Sequence, residues 1–172
     1  MPYYKKSEFI SASINSILNQ SFQKFEIIII DDELSKNSFE ILENIKKLDT
    51  RIKVFRNKEN LGAGGSRNNA INLSEGEYIA FCDCDDLWKQ NKLEKQIKFM
   101  KENNLVFCFT SYEIINENNQ RIGFREAKTN LSFKQLRNSC DIGLSTVILE
   151  KKILNNNKFR FGRTKTKEDF IL

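Results

Sequence analysis

Apolar positions in this chain fall into short continuous runs separated by segments with a helical period. The run from Phe25 to Asp31 contains four consecutive isoleucines. Continuous apolar runs are typical of strands that are buried on both faces, whereas strict alternation indicates a strand with one wet face. The pattern predicts further strands at 52–55, 77–82 and 105–115, with a turn at 117–120.

Between these runs, apolar residues recur every three or four positions, as on one face of an amphipathic helix. A third helix is predicted over about 65–73. Strands that alternate with amphipathic helices build a parallel sheet covered by helices on both faces, so the fold class is α/β. The apolar faces of the other helices are Phe9, Ile10, Ile14, Ile17 and Leu18, then Ile41, Leu42, Ile45 and Leu48, then Leu93, Ile97 and Met100.

Both ends of the chain are abrupt for such a fold. Met1, Pro2 and Tyr3 precede the first helix and read as the last residues of a first strand. Glu168 to Leu172 read as the opening turn of a helix. With 172 residues, of which 40% are hydrophobic, the chain can bury a core of its own, and we expect one domain over 1–172.

Composition excludes several classes of protein. The formal net charge is +5, but the basic residues are scattered, so nucleic acid is not indicated as a partner. The chain has no histidine, and its four cysteines lack zinc-site spacing. Cys82 and Cys108 lie in apolar runs and fit a reducing compartment. No apolar stretch is long enough for a signal region or a membrane span, which predicts a soluble cytoplasmic protein.

Three carboxylates follow the 77–82 strand within four residues, namely Asp83, Asp85 and Asp86. Close carboxylates repel one another unless a cation, hydrogen bonds or bound protons relieve the repulsion. Hard cations such as Mg²⁺ and Mn²⁺ prefer oxygen ligands, so the cluster predicts a divalent metal site. The alternative interpretation is an acidic turn that caps the next helix.

Two more polar clusters stand where predicted strands end. Asp31 and Asp32 close the isoleucine strand, and the loop 60–68 contains three glycines and Arg67. Ligands of open α/β sheets bind at the carboxyl ends of strands, and one nucleoside diphosphate would explain all three clusters. The glycines alone are weak support, because the loop is neither a Walker loop nor a dinucleotide fingerprint.

Together these blocks resemble the family 2 glycosyltransferases, which are inverting enzymes that use nucleotide sugars. The resemblance implies a GT-A fold, with a Rossmann-like, mostly parallel central sheet and helices on both faces. It also implies that most of the first strand and a C-terminal acceptor-side segment are missing, and Ala70 and Glu33-Leu34 depart from the family pattern. The matching blocks are Pro2 and Tyr4, 16–20, 25–32, Asn60, Gly62, Arg67 and Asn68, 76–81, and Asp83 to Trp88 without residue 84.

The resemblance also implies roles on the nucleotide side of the site. Asp32 corresponds to the aspartate that binds the base, with Asp31 beside it. Tyr4 matches a position near the base, and Arg67 an arginine near the nucleotide. Asp83 is the first acid of an Asp-x-Asp motif and is expected to reach the ribose or the metal.

On the metal and sugar side, Asp85 is the implied metal ligand, with Mn²⁺ or Mg²⁺ as the cofactor. Asp86 and Trp88 are candidates for contacts to the donor sugar or for support of such contacts. Glu168 and Asp169 match a Glu-Asp pair in which Asp169 is the general base. Without the resemblance, Trp88 reads as core packing and the two acids as favourable charges at a helix start.

The function implied is transfer of a sugar, from a UDP-sugar in the first instance, to an acceptor hydroxyl with inversion. The acceptor would be a glycan or a lipid-linked sugar in surface polysaccharide synthesis. The full-length protein would then work in the cytoplasm or at the inner face of the membrane as a peripheral protein. Two alternatives remain open: a non-catalytic nucleotide-binding remnant, and a sugar-nucleotide pyrophosphorylase, which would need a glycine-rich loop at 3–7.

Overall fold

A computed structural model describes residues 1–129, 132 and 142–154 of the chain. Strands and helices alternate through the first hundred residues, as the pattern predicted. Two short 3₁₀ turns, at Leu144–Thr146 and Lys151–Leu154, flank the last strand. The elements are β1 (Pro2–Tyr3), α1 (Ile10–Leu18), β2 (Ile27–Asp31), α2 (Lys36–Lys46), β3 (Ile52–Arg56), α3 (Gly62–Leu73), β4 (Tyr78–Ala80), α4 (Lys92–Glu102), β5 (Phe107–Cys108), β6 (Tyr112–Ile115), β7 (Arg121–Arg125) and β8 (Ile148–Glu150).

A parallel sheet of order β1-β2-β3 holds the isoleucine strand at its centre. All five residues of β2 are buried, which confirms the prediction from its unbroken apolar run. Tyr3 lies opposite Asp31, so the residues before α1 are the end of a strand, as predicted. Ile27 and Ile29 pack in the main core cluster with residues of α1, α2 and α4.

A second sheet has the order β4-β8-β5, with β8 antiparallel to both neighbours. The single strand predicted at 105–115 is wrong, because the chain leaves this sheet after Cys108 and forms β6 separately. β6 pairs with β7 in an antiparallel hairpin. The turn predicted at 117–120 closes it, where the Asn116 side chain accepts the amide hydrogens of Asn118 and Gln120 at 3.0 Å each.

Helix boundaries differ from the periodic pattern at two places. Leu48 was expected on the buried face of α2, but this is wrong: the helix ends at Lys46 and Leu48 is 59% exposed. Its amide bonds to the Ile45 carbonyl in a closing turn. At the other place, α3 begins at Gly62, three residues before the predicted start.

Buried polar side chains tie α1 to the loop that follows β4. Gln20 is almost fully buried, and its amide group donates to the carbonyls of Ser16 and Lys89 at 3.0 and 2.9 Å. Its oxygen accepts the Leu93 amide hydrogen at the start of α4, at 3.0 Å. The Ser13 hydroxyl donates to the Cys84 carbonyl at 2.7 Å. The acidic loop 83–86 is therefore held against α1 by hydrogen bonds.

Replacing Gln20 by leucine should lower the free energy of unfolding by about 1–3 kcal/mol, because the buried Leu93 amide would lose its partner and two carbonyls would each lose a hydrogen bond. Equilibrium urea unfolding measures this loss. Gln90→Leu is the matched control, since Gln90 is exposed. Equal stability of the two variants would contradict the role assigned to Gln20.

Candidate active site at the carboxyl ends of the strands

Side-chain contacts bring the three predicted polar clusters together at the carboxyl ends of β1, β2 and β4. Asp32, after β2, bonds to the loop that begins α3. Arg67, on α3, pairs with Asp83 after β4. Lys6, after β1, pairs with Asp85. The structure thus joins residues that lie 16 to 79 positions apart in the sequence.

Asp31 is buried and its carboxylate faces α2 and β3. One oxygen accepts hydrogen bonds from the Ser38 hydroxyl at 2.9 Å and from Arg56 Nε at 2.8 Å. The other accepts from the amides of Glu33 and Leu34 at 3.1 and 3.3 Å. These bonds fix the turn after β2, so the structure gives Asp31 a local structural role. Its predicted place beside a nucleotide stays a prediction.

Asp32 is also buried, with 2% of its surface exposed. Its carboxylate accepts the amide hydrogens of Leu61 and Gly62 at 2.8 Å each, and the side-chain amide of Asn57 at 2.7 Å. The first amides of a helix lack partners within the helix, and α3 has no capping side chain of its own. Asp32 therefore caps α3 from another part of the chain. Its predicted contact with a base stays a prediction.

Tyr4 stands beside these aspartates at the end of β1. The ring is 49% exposed, and the Lys5 ammonium lies 5.3 Å from its centre. An exposed aromatic face at this edge of the sheet is available to stack on a planar ligand. The predicted contact with a base is thus sterically open for Tyr4.

Arg67 and Asp83 form an ion pair in which one partner is buried. The Nη2 atom of Arg67 lies 2.8 Å from Oδ1 of Asp83, and the side chains are 6% and 35% exposed. The Asp83 amide donates to the Ser145 hydroxyl at 3.1 Å. Arg67 is therefore a fixed positive charge at the loop, and the partly exposed Asp83 carboxylate can face a ligand.

The other two acids of the loop have partners of their own. Asp85 Oδ2 lies 2.6 Å from the Lys6 ammonium. Asp86 is exposed as a residue, but the surrounding protein partly dehydrates its carboxyl group. Its pKa is raised above the usual aspartate value, mainly by dehydration and further by the charges of Asp83 and Asp85, while a hydrogen bond with Ser145 opposes the rise.

The carboxylates of the loop therefore point to different partners. Within the described residues, no three acidic, cysteine or histidine side chains converge as a metal site. The donor set nevertheless fits a hard divalent cation, because Asp83 and Asp85 offer only carboxylate oxygens. Both carboxylates are paired with protein cations, and their role in holding Mn²⁺ or Mg²⁺ stays a prediction.

Trp88 is buried in the main core cluster, as the packing interpretation expects. Its indole N–H donates to the Ser145 carbonyl at 3.0 Å, and its backbone N–H donates to the Ser16 hydroxyl at 3.1 Å. The Lys92 ammonium lies 4.3 Å from the ring centre. A contact of Trp88 with a donor sugar stays a prediction.

Glu168 and Asp169 lie outside the described residues, so the predicted general base also stays a prediction. Sequence reasoning missed Lys6 and Asn57 as parts of this site. The signal for Lys6 was its position three residues after the first strand. Asn57 likewise directly follows β3, at the same edge of the sheet.

A cavity of about 660 Å³ lies between β2 and β4. Apolar residues line it, among them Ile27, Ile28 and Ile79, and the amino group of Met1 donates to the Ile28 carbonyl within it at 2.8 Å. Its lining takes in the start of β2, the segment 74–77, all of β4 and residues of α1, α3 and α4, and none of the residues 83–86 lines it. We therefore place the candidate site at the carboxyl ends and not in this cavity.

Comparison of the sequence with known protein families identifies the family of this chain. The sequence profile described as glycosyl transferase family 2 matches residues 1–160. This chain belongs to glycosyl transferase family 2. This chain is 42% identical to an Escherichia coli protein named UDP-Glc:alpha-D-GlcNAc-diphosphoundecaprenol beta-1,3-glucosyltransferase WfgD. The match spans 173 aligned positions and covers the whole length of this chain. The chain is 33% identical, over 98% of its length, to the putative teichuronic acid biosynthesis glycosyltransferase TuaG of Bacillus subtilis. The chain spans 66% of the length of each of these two relatives.

Solved structures confirm the predicted GT-A fold of this family 2 chain. Staphylococcus aureus TarS residues 1–349 superpose with a TM-score of 0.74 at 23% identity, covering 98% of this chain and 51% of TarS. The mannosyltransferase PcManGT of Pyrobaculum calidifontis, in complex with GDP-Man and Mn²⁺, gives 0.71 at 12% identity, covering 98% and 48%. Among the described residues, no helix is long and apolar enough to cross a bilayer.

Replacing Asp32 by asparagine should open the loop before α3, because one amide oxygen cannot accept the three hydrogen bonds that the carboxylate accepts. The free energy of unfolding should fall by about 1–3 kcal/mol, and the amides of Leu61 and Gly62 should exchange faster with deuterium. Glu59→Gln in the exposed part of the loop is the control. Unchanged exchange at both amides in the Asp32 variant would contradict the capping role.

Proposed function

We propose that this family 2 chain transfers a sugar from a nucleoside-diphosphate sugar, preferably a UDP-sugar, to an acceptor hydroxyl with inversion. The observation that carries the proposal is the meeting of three elements at one sheet edge. These are the α3 start capped by Asp32, the fixed charge of Arg67, and the partly exposed carboxylates of Asp83 and Asp85.

Each element has a task in binding the donor. Tyr4 offers an exposed ring beside Asp32 for the base. Arg67 supplies a permanent positive charge close to the diphosphate. Asp83 and Asp85 would hold Mn²⁺ or Mg²⁺, which when bound supplies positive charge to the leaving diphosphate. Asp86 and Ser145, which are hydrogen-bonded to each other, complete the wall of the site on the sugar side.

Asp169, preceded by Glu168, is the proposed general base. It would take the proton from the acceptor hydroxyl, which attacks the anomeric carbon from the face opposite the leaving nucleotide. A positioned base contributes about 10² to 10⁴ in rate. Inversion at the anomeric carbon follows from this single displacement.

The names of the relatives support the choice of substrates. WfgD is named for a UDP-glucose donor and a lipid-linked N-acetylglucosamine acceptor, and TuaG for teichuronic acid biosynthesis. TarS has been solved in complex with UDP and with UDP-GlcNAc. We therefore propose a UDP-sugar donor and a glycan or lipid-linked acceptor in surface polysaccharide synthesis. The reaction would take place in the cytoplasm or at the inner face of the membrane.

Titration of UDP into the protein by calorimetry, with and without Mn²⁺, tests the nucleotide site without knowledge of the sugar. Binding should depend on Mn²⁺, and Asp85→Asn should weaken it by about tenfold or more, because a metal ligand is lost. Glu117→Gln, in the turn between β6 and β7, removes the same charge elsewhere and should bind as the unmodified protein does. Metal-independent binding that survives in Asp85→Asn would reject this metal assignment.

Turnover distinguishes an enzyme from a non-catalytic nucleotide-binding remnant. In the full-length protein, Asp169→Asn should reduce the rate of sugar transfer from the UDP-sugar by about 10² to 10⁴. Its affinity for UDP should stay unchanged, since Asp169 is assigned to the acceptor side. An unchanged transfer rate would show that Asp169 is not the base, and absence of transfer by the unmodified protein would favour the remnant.

A further inference from the structure

Two cations of different character pair with carboxylates of the acidic loop. Arg67 is 6% exposed and lies on α3, where its guanidinium is fixed against Asp83. Lys6 is 42% exposed and belongs to the connection between β1 and α1. Lys6 and Asp85 are 79 positions apart in the sequence, so it is the fold that brings them into contact.

The Lys6 backbone is anchored, while its ammonium is partly exposed and lies 5.6 Å from the centre of the Phe9 ring. Its carbonyl accepts the amide hydrogens of Phe9 and Ile10 at 3.2 and 3.1 Å, at the start of α1. The side chain beyond this anchor is a flexible four-carbon stem that ends in a compact charge. Exposed ion pairs of this kind contribute only about 0.2–1 kcal/mol, so the Lys6–Asp85 pair can be exchanged at small cost.

Charge at the loop favours such an exchange when a divalent cation arrives. Asp83, Asp85 and Asp86 can carry three negative charges, against two positive charges on Lys6 and Arg67. The Lys6 ammonium lies 2.6 Å from Oδ2 of Asp85. A metal held by Asp85 would repel the ammonium and compete with it for the carboxylate. Buried Arg67 cannot withdraw in the same way.

We propose that Lys6 is a displaceable counter-ion of Asp85, which competes with the divalent metal before nucleotide binds and turns to the diphosphate when both bind. This inference rests on the proposed function. It makes metal and nucleotide binding cooperative, because each helps to move Lys6 from Asp85. Coupling of this kind is reciprocal: the metal strengthens nucleotide binding by the factor by which nucleotide strengthens metal binding.

Lys6→Gln tests the proposal through the binding of Mn²⁺ alone, followed by its electron paramagnetic resonance. Loss of the competing ammonium should tighten Mn²⁺ binding about two- to five-fold in the absence of nucleotide. The factor by which UDP strengthens Mn²⁺ binding should fall. Lys6→Arg, which keeps the charge, should restore competition.

Lys5→Gln is the matched control, since it removes the same charge one residue away. The Lys5 ammonium lies over the Tyr4 ring and forms no ion pair with the described acidic residues 83–86. Equal Mn²⁺ affinities of the Lys5 and Lys6 variants would overturn the proposal, because the effect would then be one of net charge. Weaker Mn²⁺ binding by Lys6→Gln would overturn it as well.

Failure of the proposed function would give a different result. The unmodified protein and both glutamine variants would then bind neither Mn²⁺ nor UDP, and the role of Lys6 would fall with the metal site. If only the Lys6 inference is wrong, the unmodified protein still binds UDP in an Mn²⁺-dependent way, and Lys6→Gln leaves the Mn²⁺ affinity at the value of the Lys5 control.

Discussion

A buried carboxylate that accepts the first amides of a distant helix organises this edge of the sheet. Asp32 directly follows β2, and its hydrogen bonds to Leu61 and Gly62 set where α3 begins. The direction of α3 in turn places Arg67 against Asp83. A carboxylate shielded from water forms strong hydrogen bonds with amides and gains from the positive end of the helix dipole. The candidate nucleotide site therefore depends on an interaction that lies beneath it.

Three further carboxylates at this edge, Asp31, Asp83 and Asp85, are each compensated by a partner of their own. Arg56 and Ser38 face Asp31, Arg67 faces Asp83, and Lys6 faces Asp85. Pairing carboxylates one by one lets an acidic loop fold without a bound ion, because mutual repulsion is relieved locally. The partners differ in burial, so some charges are fixed and others can be exchanged. A buried partner such as Arg67 holds its carboxylate in place, whereas an exposed partner such as Lys6 can be replaced by a cationic cofactor.

Sequence patterns predicted the elements well where local periodicity was strong. The isoleucine strand, the buried faces of α1 and α4, and the clustering of polar residues at the strand ends are all found. The pattern failed where neighbours in space decided the outcome. β5 and β6 separate because β8, some forty positions later, pairs with Cys108 and leaves the following residues to the hairpin. The Gly62 start of α3 was missed because its cap comes from Asp32.

The sequence by itself determined the α/β class and the family, and it named most of the candidate site residues. The class follows from the apolar pattern, whereas the family and the candidate residues follow from the resemblance of the motifs to those of family 2 glycosyltransferases. Only the tertiary structure decided which partner each carboxylate has, that Trp88 packs in the core, and that Lys6 belongs to the site. Hydrogen bonds and ion pairs act over a few ångströms in space, and the residues that they join here are separated by many positions along the chain.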